Sequence, residues 1–411
     1  MRTIFIADFL PLANKGEEEI IRGIETLFAG KYHDKLEFRV FGNVETVTRI
    51  GNVIVYPKSI CYPNPKVSGK KKVLAELLMA AKGLLGYYPY ERAIKAFPGL
   101  MDDIRKCDFV LLGHDGFFNL ECSLLGLFLK KNNIKYSILG AGFNKPAKKV
   151  AWIIDKVFKK CFDSAQYVIL REKTAYNYVK SVSNNQLVSL LPDPAFFCPS
   201  DAYNKKRIAS IIEKYRLDDN CIKVGVTICE NSISFSTAFK EYDNKSNEHR
   251  EFISNLLTLV HQKTNCRFYF LPHCIEEGAG NDLVIAHDIV SRIGDKVDCK
   301  IIEEDMPVLD IKYIISLMDM VIGERTHSII NSISTSTPFI VLTCSADFRT
   351  FDIVGHGCSM YDYIFNLDIP NLNEIEHKVL DIISNVKREE ALLDNVCKGI
   401  EEKKNRFLQI I

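Results

Sequence analysis

The run 318-MDMVIGERTHSIINSISTSTPFIVL sets an arginine and a histidine, Arg325 and His327, two residues apart. They lie between a short apolar stretch and a segment carrying Ile329, Ile330 and Ile333. Read as a strand, a Gly323-Glu324 turn and a helix starting near Thr326 or Ser328, this pattern puts both side chains at a helix N-terminus. Unpaired amides and the positive end of the helix dipole favour an anion there. A guanidinium in that place grips a carboxylate or phosphate by two hydrogen bonds, and an imidazole beside it exchanges a proton near neutrality. The backbone amides from Thr326 to Ser328 share the load. The competing account is structural: Glu324 and Arg325 form a surface ion pair and His327 caps the helix.

Such a site needs strands that end where helices begin. Short β-branched and aromatic runs recur near Thr3 to Ala7, Leu36 to Phe41, Val53 to Tyr56, Asp108 to Leu112, Lys135 to Leu139, Tyr167 to Leu170 and Leu187 to Leu191. A second series follows at Lys223 to Ile228, Arg267 to Leu271, Lys300 to Ile302, Met318 to Ile322 and Phe339 to Leu342. Continuous apolar strands alternating with helix-length segments are what a parallel sheet covered on both faces requires. The expected class is α/β: two Rossmann-like parallel-sheet domains facing each other across a cleft, a GT-B-like architecture. Three prolines in 192-PDPAFFCP interrupt the pattern, and a charged helix restarts it at Arg207 to Tyr215. The expected domains are residues 1–200 and 201–370, with helices in 371–411 packing back on the first.

The 411 residues are 47% hydrophobic, enough for a large core. Fifty-three basic and 52 acidic residues leave a net charge of +1, which offers no field for a polyanion, so nucleic acid is not expected as a partner. Apolar runs fall short of the roughly 20 residues that span a bilayer, and the start does not read as a signal peptide. The expected location is therefore cytoplasmic. The 13 cysteines include no C-x-x-C pair and read as reduced structural thiols. No Walker A, H-E-x-x-H or G-x-S-x-G motif occurs, no two aspartates sit two apart, and 140-GAGFNKP has lysine where a dinucleotide fingerprint needs its third glycine. Neither a redox cofactor nor a metal is expected. In 66–88, 66-KVSGKKK leads into 73-VLAELLMAAKGLLGYYPY. One reading is a loop and a core-packed helix; the other lays the helix on a membrane, its lysines on anionic lipid.

The closing segment, from Asp319 through Arg325 and His327 to Pro338-Phe-Ile-Val-Leu, resembles the signature of the polysaccharide pyruvyl transferase family. Further segments resemble that family in the same order. Asn14-Lys-Gly16-Glu17-Glu18 is similar to its Asn-x-Gly-Asp helix start, and Asp108 to Gly116 and Gly140-Ala-Gly142 to its glycine-rich strand ends. Tyr167 to Glu172 resembles a strand ending in arginine, here Arg171; Pro192 to Phe196 resembles an Asp-Pro-x-Phe turn, and Leu271-Pro272-His273 a Pro-His strand end. The likeness spans residues 1 to about 350. It departs at His114 and Asp115, where small residues are usual, and at Thr343 to Arg349, where the family often has a lysine and Arg349 is the nearest cation.

The resemblance implies transfer of the enolpyruvyl group of phosphoenolpyruvate to two hydroxyls of a sugar, giving a pyruvate ketal and free phosphate without a cofactor. It implies Arg325 and Arg171 as anion anchors, His327 as proton donor and His273 as acceptor base. Asp115 and Asp193 would meet sugar hydroxyls, and Asn14, Gly16, Glu17, Thr326 and Ser328 would line the site. On this reading Arg325→Ala weakens donor binding and leaves the fold intact. The sugar acceptor is free or lipid-linked, the latter bringing the protein to the inner membrane face. Two rivals share the scaffold: a glycosyltransferase using a nucleotide sugar, and a non-catalytic binding protein.

Overall fold

A computed structural model of the chain describes all residues except 10–13, 43, 58–69, 89, 91–98, 114–117, 144–149, 231–241 and 276–280. The described strands form two sheets. The first runs β3-β4-β2-β1-β5-β6-β7-β8, from β1 (Arg2–Phe9), β2 (Leu36–Gly42), β3 (Thr48–Ile50), β4 (Val53–Pro57), β5 (Phe109–Leu112), β6 (Ser137–Ala141), β7 (Val168–Leu170) and β8 (Val188–Leu190). Every pairing in it is parallel except β3 with β4. The second runs β11-β10-β9-β12-β13-β14, from β9 (Lys223–Thr227), β10 (Arg267–Phe270), β11 (Cys299–Ile301), β12 (Met320–Gly323), β13 (Phe339–Thr343) and β14 (Ile364–Asn366). It is parallel throughout, and its order is that of a dinucleotide-fold sheet.

Burial explains why the strands read as unbroken apolar runs. Every residue of β6, β12 and β13 is buried, because helices cover both faces. The sequence pattern misses β3 and β14. Each is three residues long, the first fully exposed and the second half-buried, so neither carries the apolar run that marks a covered strand.

The chain divides into two compact units. The first holds 1–12, 27–193 and 405–411; the second holds 13–26 and 194–404. The seam expected near residue 200 lies instead between Asp193 and Pro194. The proline-rich stretch is no exposed linker: Pro194–Phe197 is a buried 3-10 turn, and Gly23 lies so close to the Pro194 carbonyl that a Cβ would stand 1.8 Å from it. Residues 13–26, which include the first part of the helix Lys15–Tyr32, group with the second unit although the 167 residues 27–193 of the first unit follow them in the chain. Of the C-terminal helices, Leu372–Ser384 and Val386–Ile410, only the last turns belong to the first unit, where the Leu408 carbonyl accepts from Lys31 Nζ. The twelve described cysteines are all free. Among the described residues no helix is long and apolar enough to cross a membrane.

Candidate functional site

In the second sheet the chain winds outward from β9 to β10 and β11, then returns to β12 on the other side of β9. Loops diverge at such a reversal and leave a crevice at the carboxyl ends of the strands. Arg325 and His327 follow β12 at that end. Strand pairing persists to Glu324, whose N–H donates to the Thr227 carbonyl at 2.8 Å. A Cβ at residue 323 would lie 2.7 Å from Ile329 Cδ1 and 2.8 Å from Thr227 Oγ1, so glycine alone lets the helix Thr326–Ser334 start this close.

Arg325 is the residue just before that helix, extended at φ −83° and ψ 116°. Its guanidinium is held by Asp282: Nε donates to Oδ2 at 3.2 Å and Nη2 pairs with Oδ1. Asp282 is 2% exposed, and its Oδ2 also accepts the backbone N–H of His273 at 2.9 Å and of Cys274 at 3.1 Å. Four donors on one carboxylate fix the plane and direction of the guanidinium. Glu324 turns elsewhere. Its Oε1 hydrogen-bonds to His249 Nε2, and its Oε2 accepts the Cys229 N–H at 3.1 Å. The surface pair that the competing account gave to Glu324 and Arg325 does not form; each finds its own buried partner. Burial is the largest influence on His249 and pushes its pKa down, but the charge and hydrogen bond of Glu324 together with the charge of Glu230 outweigh it, and the net shift is upward.

His327 rests on the start of the helix Lys15–Tyr32. A Cβ on Gly16 would lie 2.4 Å from His327 Nδ1 and 2.7 Å from Cγ. Asn14 caps this helix, its Oδ1 accepting the Gly16 N–H and its carbonyl the Glu17 N–H, both at 3.1 Å. Glu17 and Glu18 occupy the first turn, where negative charge suits the dipole. Asn14 also pairs with Cys274, and the Lys15 N–H donates to the His273 carbonyl at 3.1 Å. Three segments far apart in sequence thus meet: Asn14–Gly16, His273–Cys274 and Arg325–His327. With them three helices begin side by side, Lys15–Tyr32, Asp282–Ile293 and Thr326–Ser334, and their positive ends favour negative charge.

His273 is 2% exposed. Its Nδ1 lies 2.9 Å from the Leu271 carbonyl, so that nitrogen carries the proton and Nε2 is the acceptor; Nε2 meets no hydrogen-bond partner among the described residues. Burial pushes its pKa down to about 4, against the raising pull of the Leu271 carbonyl and Asp282. It is neutral at pH 7. The sign of the linkage follows: the unfolded chain protonates this histidine below about 6.5 and the folded chain only near 4, so the unfolded state binds more protons between them. Its stabilising contribution is complete above pH 6.5 and declines as the pH falls to 4, by about 3 kcal/mol in all. His249 acts oppositely, its contribution fading as pH rises through its raised pKa. We expect denaturant melts of His273→Gln to show a shallower loss of stability between pH 6.5 and 4 than the wild type; an equally steep loss would place the acid sensitivity elsewhere.

The profile of the polysaccharide pyruvyl transferases matches residues 14–345, a span that opens on Asn14 and closes just past β13. The chain belongs to the polysaccharide pyruvyl transferase family. No curated protein sequence matches it. Solved structures match along nearly its whole length. A glycosyltransferase from Rickettsia africae is 11% identical, covers 99% of this chain and 96% of its own, and gives a TM-score of 0.52. The UDP-GlcNAc 2-epimerase of Neisseria meningitidis, solved with UDP-GlcNAc, is 11% identical over 98% of this chain and 99% of its own, at 0.54. An α,α-trehalose 6-phosphate synthase from Burkholderia multivorans is 9% identical over 100% and 98%, at 0.56. At these identities the likeness shows the fold alone, the GT-B-like architecture of two Rossmann-like sheets.

Within this pyruvyl transferase fold the expected site residues are placed unequally. Arg325, His327, His273, Asn14, Gly16 and Glu17 are brought together. Thr326 and Ser328 start the same helix, but their hydroxyls are engaged inward: Thr326 Oγ1 with Thr350 Oγ1 at 3.1 Å, and Ser328 Oγ with Thr227 Oγ1 at 2.6 Å and the Arg325 carbonyl at 2.7 Å. Arg349 lies on the same side, 3.6 Å from Asp347, whose other oxygen accepts from Thr350. Arg171, expected as an open anchor, is wholly buried in the first unit. Its Nη1 pairs with Asp193, itself expected on sugar hydroxyls, and its Nε lies 3.7 Å from Glu172. A guanidinium removed from water needs such carboxylates, so this pair ties the end of β7 to the chain beyond β8. Asp115 and His114 lie outside the described residues.

Sequence reasoning missed Asp282 and His249. Asp282 had a signal, since Asn281 caps a helix whose first turn carries it, and Asn281 Oδ1 accepts the Leu283 N–H. His249 stands in the polar first half of the helix Tyr242–Thr264, where no spacing sets it apart.

Proposed function

We propose that the protein transfers the pyruvyl unit of phosphoenolpyruvate to two hydroxyls of a sugar in a polysaccharide or its precursor. The observation that carries this reading is the meeting of Arg325 and His327 with the starts of three helices at the sheet's reversal point, inside the segment matched by the family profile. The donor bears a carboxylate and a phosphate. Arg325, aimed by Asp282, and the amides that open the helix after it suit one of these anions.

The reaction needs a proton on the donor's methylene carbon, which makes C2 electrophilic. His327 is the acid on this reading. One hydroxyl adds to C2, the C2–O bond to phosphate breaks, and the second hydroxyl closes the ketal. The methylene gains one proton and the hydroxyls release two, of which one returns to the imidazole and one leaves with phosphate. His273, neutral and closed to solvent, acts as a positioning residue: its backbone N–H and that of Cys274 hold Asp282. The chemistry calls for no resident cofactor, and a cytoplasmic donor puts the reaction in the cytoplasm.

His327→Asn is expected to bind phosphoenolpyruvate with near-normal affinity in calorimetry and to lose about 10²-fold or more in phosphate release with a panel of sugar acceptors. Undiminished phosphate release would remove His327 from the chemistry. A thermal-shift comparison separates the rival enzyme: stabilisation by nucleotide sugars and none by phosphoenolpyruvate would make the protein a glycosyltransferase.

A further inference from the structure

The helix Lys70–Leu84 has two apolar faces. One, with Val73, Leu77, Ala80, Ala81 and Leu84, packs on the core of the first unit. The other presents Leu74 and Leu78, 58% and 53% exposed, and the turn beyond adds Leu85 and Tyr87 at 76% and 68%. Helix Ala151–Phe162 packs against this one and presents Trp152, the only tryptophan of the chain, at 61% exposure. Thirteen large apolar side chains are exposed among the described residues, and five of them fall on these two helices and the turn. A leucine pair one helical turn apart, a tyrosine and a lone tryptophan turned outward together are more than the scattered apolar residues of an ordinary surface.

The charge around them is mainly basic: helix Ala151–Phe162 carries three lysines and the single acid Asp155, whose carboxylate accepts from the Tyr178 hydroxyl. Lys82 is exposed on the leucine face, and Lys156 and Lys160 follow Trp152 at helical spacing, with Lys156 Nζ 5.5 Å from the indole centroid. Lys131 lies by Tyr88 and donates to the Gly86 carbonyl at 2.9 Å. We infer that this face docks on an anionic lipid surface, leucines and aromatic rings entering the headgroup boundary while lysines meet the lipid phosphates. A second copy of the chain fits less well, since a self-complementary contact through this face would set like-charged rims against each other. The docking would bring the enzyme to a lipid-linked acceptor, which is where it touches the proposed reaction; the surface argument itself does not depend on that reaction.

The full-length chain is mixed with vesicles of phosphatidylcholine alone or with phosphatidylglycerol added. Emission of Trp152 is expected to shift to the blue, and the chain to float, only with the anionic vesicles, with both effects reversed by salt. Leu74→Ser combined with Leu78→Ser is expected to lower vesicle partition about tenfold or more while leaving the thermal midpoint in place, since both side chains are exposed. Lysine-to-glutamate changes at Lys156 and Lys160 give a second variant that spares the apolar face and should weaken binding likewise. An unmoved emission maximum with anionic vesicles at low salt would overturn the proposal, as would vesicle binding unchanged in both variants. So would salt-insensitive self-association lost in the leucine variant, which would assign the face to a second copy. Transfer to a water-soluble sugar should be the same in all these proteins, so a failure of docking is distinct from a failure of the proposed chemistry.

Discussion

Asp282→Ala is expected to lower stability by about 3–5 kcal/mol and to remove nearly all phosphate release. The carboxylate is 2% exposed, and the Arg325 side chain that it faces is 14% exposed. Removing one partner leaves a largely buried guanidinium without its counter-charge, which is the expensive way to break such a pair. Two backbone N–H groups, of His273 and Cys274, lose their acceptor as well. For a unit of about 200 residues the thermal midpoint should fall by roughly 6–20 °C. Arg325→Ala should cost less stability, because Asp282 keeps both amide donors, yet it should abolish donor binding. The sequence alone suggested that Arg325→Ala spares the fold; the buried partner revises that. A melting curve of Asp282→Ala matching the wild type would mean that the pair does not hold the turn, and the anion site would lose its support.

Gly16→Ala is the second change with a large expected effect, and its sign is informative. Alanine for glycine within a helix ordinarily stabilises by up to about 1 kcal/mol. Here the added methyl would overlap the His327 ring, 2.4 Å from Nδ1, and its nearest neighbour is an imidazole tethered at the start of a buried helix. Overpacking of this kind costs about 1–3 kcal/mol, so the net change should be destabilising. Displacing the imidazole by an ångström should lower the rate about 10²-fold with donor affinity retained. Initial rates and melts on the purified variant decide it. A more stable Gly16→Ala with unchanged rate would show that His327 does not lie against the helix start.

These two residues also mark how far sequence reasoning reaches. Arg325 and His327 were legible because a strand, a glycine turn and a helix follow one another within a dozen residues, and local order of that kind fixes which side chains flank a helix start. Twelve of the fourteen strands among the described residues were legible for a related reason: helices cover both faces of the sheets, so the strands must be apolar throughout.

Partners were not legible. Asp282 lies 43 positions before Arg325, and His249 lies 75 before Glu324. Neighbouring Glu324 and Arg325 look like a pair on paper, but side chains on adjacent extended residues point to opposite faces, and each meets whatever the adjoining strand's loop supplies. Arg171 illustrates the converse: its place at a strand end was readable, whereas its complete burial against Asp193 depends on loops whose path no periodicity encodes.

By itself, then, the order of residues determined the two parallel sheets, the family, and the identity of a cation and an imidazole at a helix start. Strand periodicity and turn chemistry are properties of neighbouring residues. Tertiary structure decided that residues 13–26 join the second unit and set Gly16 beneath His327, that Asp282 orients Arg325, and that His273 is sealed and neutral. Those outcomes depend on which distant segments exclude water from one another, and burial of that kind exists only once the chain has folded.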